Sequence, residues 1–133
     1  DNGAGGLSSS IGEMCRDSGG CEVQLDKCPL KYPGLAPWEI FVSEAQERMT
    51  MAVAPENLDT LLALAKKREV EANEIGTFID SGNLECFYEG ELICALSMDF
   101  LHDGVPTMEL KAQLSPVEAA VESIPTDVDF ADE

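Results

Sequence analysis

A carboxylate followed by a glycine-rich loop is the first pattern in this chain that could do chemistry. Residues 1–7 read DNGAGGL, so Asp1 stands ahead of Gly3, Gly5 and Gly6. Glycine lets backbone N–H groups approach an anion, and the start of a helix adds partial positive charge. A carboxylate beside such a loop can hold Mg²⁺ against phosphate oxygens. The spacing leaves open a magnesium–phosphate site or a flexible leader with a helix cap.

The second pattern is a polar hexapeptide, SEAQER at residues 43–48, which lies between the apolar runs of residues 40–42 and 49–53. Charged and amide side chains are costly to bury without partners. We therefore expect the hexapeptide on an exposed rim, where it could face a ligand or form a solvated turn. Composition alone favours the solvated turn.

The only histidine and the only tryptophan are the remaining candidates. No sequence context of an activated nucleophile accompanies His102, so we expect a structural role for it. Trp38 is expected in a core or an interface rather than as a stacking platform. The basic residues 66–68 are best explained as the favourable end of a helix.

The elements that would position these residues begin with a helix after the glycine loop, ended by SGG at residues 18–20. A strand with one buried face follows. The apolar residues that set these periods are Leu7, Ile11, Met14 and Cys15, then Cys21, Val23 and Leu25. Residues 28–37 hold three prolines and a glycine, which predicts a loop, and Pro37 could open a short helix.

The second half alternates strands with one amphipathic helix. Residues 49–54 are compatible with a strand, Pro55 opens the helix, and residues 72–79 read as another strand. Residues 84–88 and 92–98 predict a hairpin around residues 89–91. The helix stripe is formed by Leu58, Leu61, Leu62 and Ala65. Together these patterns predict an α+β fold with a mostly antiparallel sheet and helices on one face.

The composition of the chain excludes some classes of binding partner. The 133 residues suit one domain, and 26 acids against 8 bases give a formal net charge of -18. Nucleic acids and anionic membranes select lysine and arginine, so neither is expected as a partner. No apolar run approaches the roughly 20 residues of a membrane-spanning helix. The five cysteines have no C-x-x-C spacing, which indicates free, mostly buried thiols in a reducing compartment.

The two patterns together resemble phosphoribosylformylglycinamidine synthase, also called formylglycinamide ribonucleotide amidotransferase. That family has an acid, any residue and Gly-Ala-Gly-Gly-Leu-Ser, followed by Ser-Glu-Ser-Gln-Glu-Arg about forty residues later. PWEI at residues 37–40 and DSGG at residues 17–20 also fit, and the resemblance covers roughly residues 1–110. Ala45 departs from the family, which usually has serine there.

The resemblance implies a partial C-terminal domain of the aminoimidazole ribonucleotide synthetase superfamily. The implied reaction is the ATP-dependent ligation of glutamine-derived ammonia to formylglycinamide ribonucleotide in purine biosynthesis. In the family the acid ahead of the glycine loop is a magnesium ligand, which maps to Asp1. The Glu-Ser-Gln segment contacts the ribonucleotide, which maps to Glu44, Ala45 and Gln46. No catalytic residue maps onto this chain.

The resemblance also implies partners. ATP is bound largely by an N-terminal domain of the synthetase, and a glutaminase domain or subunit supplies ammonia. We therefore expect residues 1–114 to be part of a synthetase domain in a cytoplasmic enzyme, excised from a longer protein and inactive alone. Residues 115–133 carry six acids and no lysine or arginine, which predicts a linker or disordered tail.

Two other hypotheses remain open from the sequence. The first is a superfamily relative such as aminoimidazole ribonucleotide synthetase or a selenophosphate synthetase, against which the hexapeptide weighs. The second is a non-catalytic interaction or scaffold module with the same α+β core. Substitution of Glu44 and Gln46 would distinguish a substrate site from a scaffold.

Overall fold

The computed structural model describes residues 1–114, and the predicted acidic tail lies outside the described residues. The helices are α1 (Gly6–Ser18), α2 (Pro37–Val42), α3 (Pro55–Lys67) and α4 (Met98–Asp103). The strands are β1 (Cys21–Gln24), β2 (Gly76–Phe78), β3 (Asn83–Tyr88) and β4 (Glu91–Ser97). A single 3₁₀ turn, Leu25–Lys27, follows β1.

The four strands form one sheet in the order β2-β1-β3-β4. The two outer pairings are antiparallel, and the central pairing of β1 with β3 is parallel. Crossing from β1 to β3 requires a long connection, which the intervening helices provide. The predicted α+β class with a mostly antiparallel sheet is confirmed.

The core lies between α1, α2 and one face of the sheet. Its side chains are less than a tenth exposed, and four of them are thiols: Leu7, Ile11, Cys15, Cys21, Val23, Leu25, Cys28, Ile40, Leu84 and Cys86. The strand period places alternate residues of β1 and β3 on this face. Burial of these apolar side chains is the main stabilising term for the fold.

Local signals fixed several element ends as predicted. Gly19 adopts φ 82° after α1, and its N–H donates to the Cys15 carbonyl at 3.0 Å. Pro37 opens α2, where the Glu39 carboxylate accepts the Ala36 N–H at 2.7 Å. The hairpin turns at Glu89 and Gly90, both with positive φ, as a type I′ turn requires.

Three strand predictions were wrong in extent. Residues 49–54 form no strand, because Thr50 is held against the glycine loop and Met49 and Met51 are exposed. The strand predicted over residues 72–79 is only Gly76–Phe78, since β1 offers it a partner only over Cys21 to Val23. The second hairpin strand stops at Ser97, whose side chain accepts the Phe100 N–H and begins α4 at Met98.

The sequence predicted that Trp38 lies in the core or in an interface. Trp38 is 66% exposed, so the core prediction was wrong, and the interface role stays a prediction. Lys66 and Lys67 do lie in the last turn of α3, as expected for a helix C-terminus. All five cysteines are free thiols, and four of them are buried, as predicted. Within residues 1–114, no helix has the length and apolar character to cross a membrane.

Candidate functional site

A cleft of about 360 Å³ opens where the glycine loop meets the hexapeptide. One wall is residues 1–4 and the other is residues 44–49. The residues proposed from the sequence all line it: Asp1 on the first wall, and Glu44, Ala45 and Gln46 on the second. Asp1, Glu44 and Gln46 are exposed, and Ala45 is half-buried. Folding therefore brings the two sequence patterns together in one place.

The close approach of the two walls requires glycine at the start of α1. Gly5 and Gly6 have φ values of 80° and 58°, in the left-handed region that glycine adopts without strain. A side chain built on Gly6 would collide with the backbone of Ser43. Gly6 is therefore needed both for its backbone conformation and for the contact between the two patterns.

The Glu44 carboxylate occupies part of the loop's capacity to bind anions. Its Oε1 accepts the Gly5 N–H at 3.0 Å, across 39 positions of sequence. Two other loop N–H groups are also engaged, because Gly3 donates to Asp1 Oδ1 at 3.3 Å and Gly6 donates to the Gly3 carbonyl at 2.9 Å. The loop thus holds carboxylates of its own chain, and Glu44 links the two walls.

Asn2 is the buried polar centre of this region, with 5% of its surface exposed. Its Oδ1 accepts hydrogen bonds from the Ser10 hydroxyl and, at 2.7 Å, from the Thr50 hydroxyl. Its backbone N–H donates to the Arg48 carbonyl at 3.0 Å. Sequence reasoning missed Asn2, since an asparagine inside a glycine-rich loop is expected to be solvated.

Arg48 ends the hexapeptide, and it is the only basic side chain that residues 1–114 contribute to the lining of the cleft. Its Nη2 donates to the Ser43 carbonyl, so the side chain folds back over its own segment. Its Nε is buried and has no hydrogen-bond partner among the described residues. Glu47 has a φ of 61°, which makes the turn before Arg48 tight.

The charge balance of the cleft is negative, with Asp1, Glu44 and Glu47 against Arg48. Such a surface suits a cation or a ligand whose negative charge a cation neutralises. Asp1 Oδ2 and Glu44 Oε2 accept no hydrogen bond among the described residues, and carboxylate oxygens are the donors that Mg²⁺ prefers. Residues 1–114 contain no ready cluster of three such ligands, so further ligands would have to be water or phosphate oxygens.

His102 lies elsewhere, in a second and smaller cleft of about 150 Å³ between α4 and the first turns of α1. That cleft is lined by Ser8, Ser9, Gly12, Glu13, Leu101 and His102. The His102 Nε2 is buried and has no hydrogen-bond partner among the described residues. Among the described residues that line this cleft there is no cysteine, so His102 has no thiol nucleophile beside it there.

The four buried thiols belong to the core cluster and line neither cleft. Burial raises the pKa of Cys21 and of Cys86 to about 12 and that of Cys28 to about 11. Burial also raises the pKa of Cys15. Because the thiolate is the nucleophilic form, these cysteines are inert packing groups at neutral pH.

Comparison with known proteins shows the family of this chain. Residues 1–89 match the family described as AIR synthase related protein, C-terminal domain. The chain therefore belongs to that family.

Among curated relatives, the phosphoribosylformylglycinamidine synthase subunit PurL of Methanopyrus kandleri is 40% identical over 110 residues. The subunit of the same name from Rhodospirillum rubrum is 37% identical over 123 residues. These alignments cover 82% and 92% of this chain but only 15% and 17% of the relatives. The chain thus spans less than a fifth of the length of either relative.

Solved structures agree with the sequence relatives. T. maritima PurL complexed with FGAR superposes with a TM-score of 0.77 at 27% identity, over 88% of this chain and 20% of that protein. T. maritima PurL complexed with ATP gives a TM-score of 0.75 at 28% identity, over 89% of this chain and 20% of that protein. The fold expected from the resemblance is confirmed.

Proposed function

We propose that this chain is the part of a phosphoribosylformylglycinamidine synthase that presents substrate- and magnesium-binding residues. The reaction is the ATP-dependent conversion of formylglycinamide ribonucleotide and glutamine-derived ammonia to formylglycinamidine ribonucleotide. The observation that supports it best is the shared cleft, since Asp1 and residues 44–46 are far apart in sequence and meet there. The curated relatives named PurL support the same assignment, and so does T. maritima PurL, which has been solved with FGAR and with ATP.

Each residue has a distinct role in this proposal. Asp1 supplies a carboxylate oxygen to Mg²⁺, which when bound neutralises phosphate charge next to a negative wall. Gln46 is exposed on the opposite wall and offers both a donor and an acceptor to the amide or hydroxyl groups of the ribonucleotide. Ala45 contributes backbone contact only. Glu44 acts at one carboxylate oxygen, because the other accepts the Gly5 N–H.

The chain acts with partners in this proposal. The cleft is open and small against the combined size of a ribonucleotide and ATP, so a facing domain of the synthetase is needed to complete the site. A glutaminase domain or subunit supplies ammonia, and PurLQS from Thermotoga maritima is a multi-component relative. We accordingly expect a cytoplasmic enzyme and no turnover by the 133-residue chain alone.

The test is substitution within the complete synthetase. We expect Gln46→Ala to raise KM for formylglycinamide ribonucleotide about tenfold, the effect of losing about 1.4 kcal/mol of binding. Glu44→Ala should lower kcat/KM by at least as much, because it also frees the Gly5 N–H. Glu71→Ala and Gln113→Ala remove the same groups at exposed positions outside the cleft and should change neither constant.

Unchanged kcat and KM in both cleft variants would overturn the substrate-site assignment and favour the scaffold module. Turnover by the 133-residue chain with ATP and ammonia would overturn the need for partners. For the magnesium role, Asp1→Asn should raise the Mg²⁺ concentration needed for half-maximal activity, since an amide oxygen lacks the carboxylate charge.

A further inference from the structure

We infer that Asn2 is a positioning residue that locks the two walls of the cleft in register. The inference rests on the proposed function, because it concerns how the proposed substrate-binding residues are held. Asn2 belongs to the wall of residues 1–4, but its side chain is buried and lies between α1 and the segment that follows the hexapeptide. It acts through the residues beside it.

Three hydrogen bonds join Asn2 to two parts of the chain, helix α1 and residues 48–50. Ser10 belongs to α1, Thr50 follows the hexapeptide, and Arg48 ends it. The Ser10 and Thr50 hydroxyl oxygens are also only 3.3 Å apart, so the three side chains form one closed cluster. A buried acceptor with two donors rigidifies its surroundings, because losing either donor leaves polar atoms unpaired.

The anchored atoms lie next to the proposed ligand-binding residues. Asp1 precedes Asn2 directly, so fixing the Asn2 backbone fixes the point from which the Asp1 carboxylate extends. Gln46 is two residues before Arg48, whose carbonyl accepts the Asn2 N–H. Small displacements of binding groups cost large factors in rate or affinity, so a junction that fixes both walls controls the site.

A second hydrogen bond between the walls makes it possible to distinguish a positioning role of Asn2 from a contribution to core packing alone. The Glu44 to Gly5 hydrogen bond is exposed, and an exposed hydrogen bond resists opening only while the backbones on both sides are held. If Asn2 positions the walls, removing its side chain should loosen Gly5 selectively. If Asn2 merely contributes stability, all amides of α1 should exchange faster together.

The experiment compares Asn2→Ala, Thr50→Val and their double variant with Thr50→Ser, which keeps the hydroxyl. Asn57→Ala is the matched control, because it makes the same deletion at an exposed position of α3. Amide hydrogen exchange is measured on the 133-residue chain, at Gly5 and Gly6 and at Ile11 and Cys15 inside α1. Kinetic constants for formylglycinamide ribonucleotide are measured in the complete synthetase.

We expect Asn2→Ala to speed exchange at Gly5 and Gly6 about tenfold or more while Ile11 and Cys15 change less than threefold. Thr50→Val should give a smaller change of the same kind, Thr50→Ser should restore it, and the double variant should be less than additive. In the synthetase, Asn2→Ala should raise KM more than it lowers kcat.

Equal acceleration throughout α1, or none at Gly5 and Gly6, would overturn the inference. A selective change at Gly5 with KM unaffected would also overturn it, because the walls would then be coupled without positioning the substrate. If the wild-type synthetase does not bind formylglycinamide ribonucleotide at all, the proposed function fails. The exchange pattern then still decides whether Asn2 joins the walls.

Discussion

Helices α1 and α3 are each 13 residues long and amphipathic, yet they have opposite places in the fold. Five residues of α1 are buried: Gly6, Leu7, Ile11, Gly12 and Cys15. No residue of α3 is buried, and its predicted stripe is only half-buried. Similar patterning thus gave a central helix in one case and a peripheral helix in the other.

The difference lies in what each helix meets. Helix α1 packs against α2 and α4 and covers the buried face of the sheet, and its first turn abuts Ser43. Helix α3 contributes no residue to the core cluster. An apolar stripe therefore predicts that a segment is helical, whereas the elements packed against the helix decide how much it contributes to the stability of the fold.

The largest expected effect is alkaline unfolding through the thiols beneath α1. The pKa of Cys21 and of Cys86 is raised from 9.0 to about 12 in the folded protein. Well below pH 9 both thiols are protonated in the folded and in the unfolded state, so their ionisation does not lower the free energy of unfolding. Between pH 9 and about 12 the unfolded chain loses them first, so the free energy of unfolding falls by about 1.4 kcal/mol per pH unit for each thiol.

Urea unfolding at pH 8, 9.5 and 10.5 measures this slope. Cys21→Val keeps an apolar side chain of similar size and removes one titrating group. Its free energy of unfolding should therefore fall less steeply with pH than that of the wild type, by about 1.4 kcal/mol per pH unit. A slope that is the same in wild type and Cys21→Val would contradict the assignment to this thiol. Cys94, the half-buried thiol, is the first that we expect an alkylating reagent to reach.

The next effect comes from cavity formation under α1. Ile11 is 4% exposed, and truncating it to alanine should cost about 2–5 kcal/mol. Ile93→Ala makes the same change in β4, where the side chain is 43% exposed, and should cost well under half as much. Thermal or urea unfolding of both variants measures the contrast, and equal losses would show that α1 is no more central than the sheet edge.

A third effect is steric and lies at the start of α1. Gly6→Ala should destabilise the chain by about 1–3 kcal/mol, since the new methyl group meets the Ser43 backbone and φ is 58°. Gly34→Ala is the control, because Gly34 has a φ of 86° but open space around it. The stability lost in Gly34→Ala measures the cost of the backbone conformation alone. Any additional loss of stability in Gly6→Ala measures the collision with the Ser43 backbone.

The sequence predicted the parts of this fold that depend on local chemistry. Pro37, Gly19 and the Glu89–Gly90 turn acted where they were expected to, because caps and turns need only neighbouring atoms. The partnership between the two patterns came from a resemblance, and no periodicity within the chain indicated it. The roles assigned to Asp1, Glu44, Ala45 and Gln46 remain predictions.

The failures share a different cause, which is pairing over long distances in sequence. Residues 49–54 have the composition of a strand, but a strand needs a partner edge, and Thr50 instead donates to Asn2, 48 positions away. Trp38 fits a core by type, yet it lies on the exposed side of a six-residue helix that buries Ile40. Asn2 was missed for the same reason, since its partners are Ser10, Arg48 and Thr50.

The smallest expected effect tests the peripheral position of α3 itself. Leu61 belongs to the predicted stripe but is only half-buried, so Leu61→Ala should cost about 1 kcal/mol or less in the 133-residue chain. Leu7→Ala, the same substitution on α1 at a side chain that is 3% exposed, should cost at least twice as much. If Leu61→Ala instead matches Leu7→Ala, α3 is as integral to stability as α1, and patterning alone would then have been enough to rank the two helices.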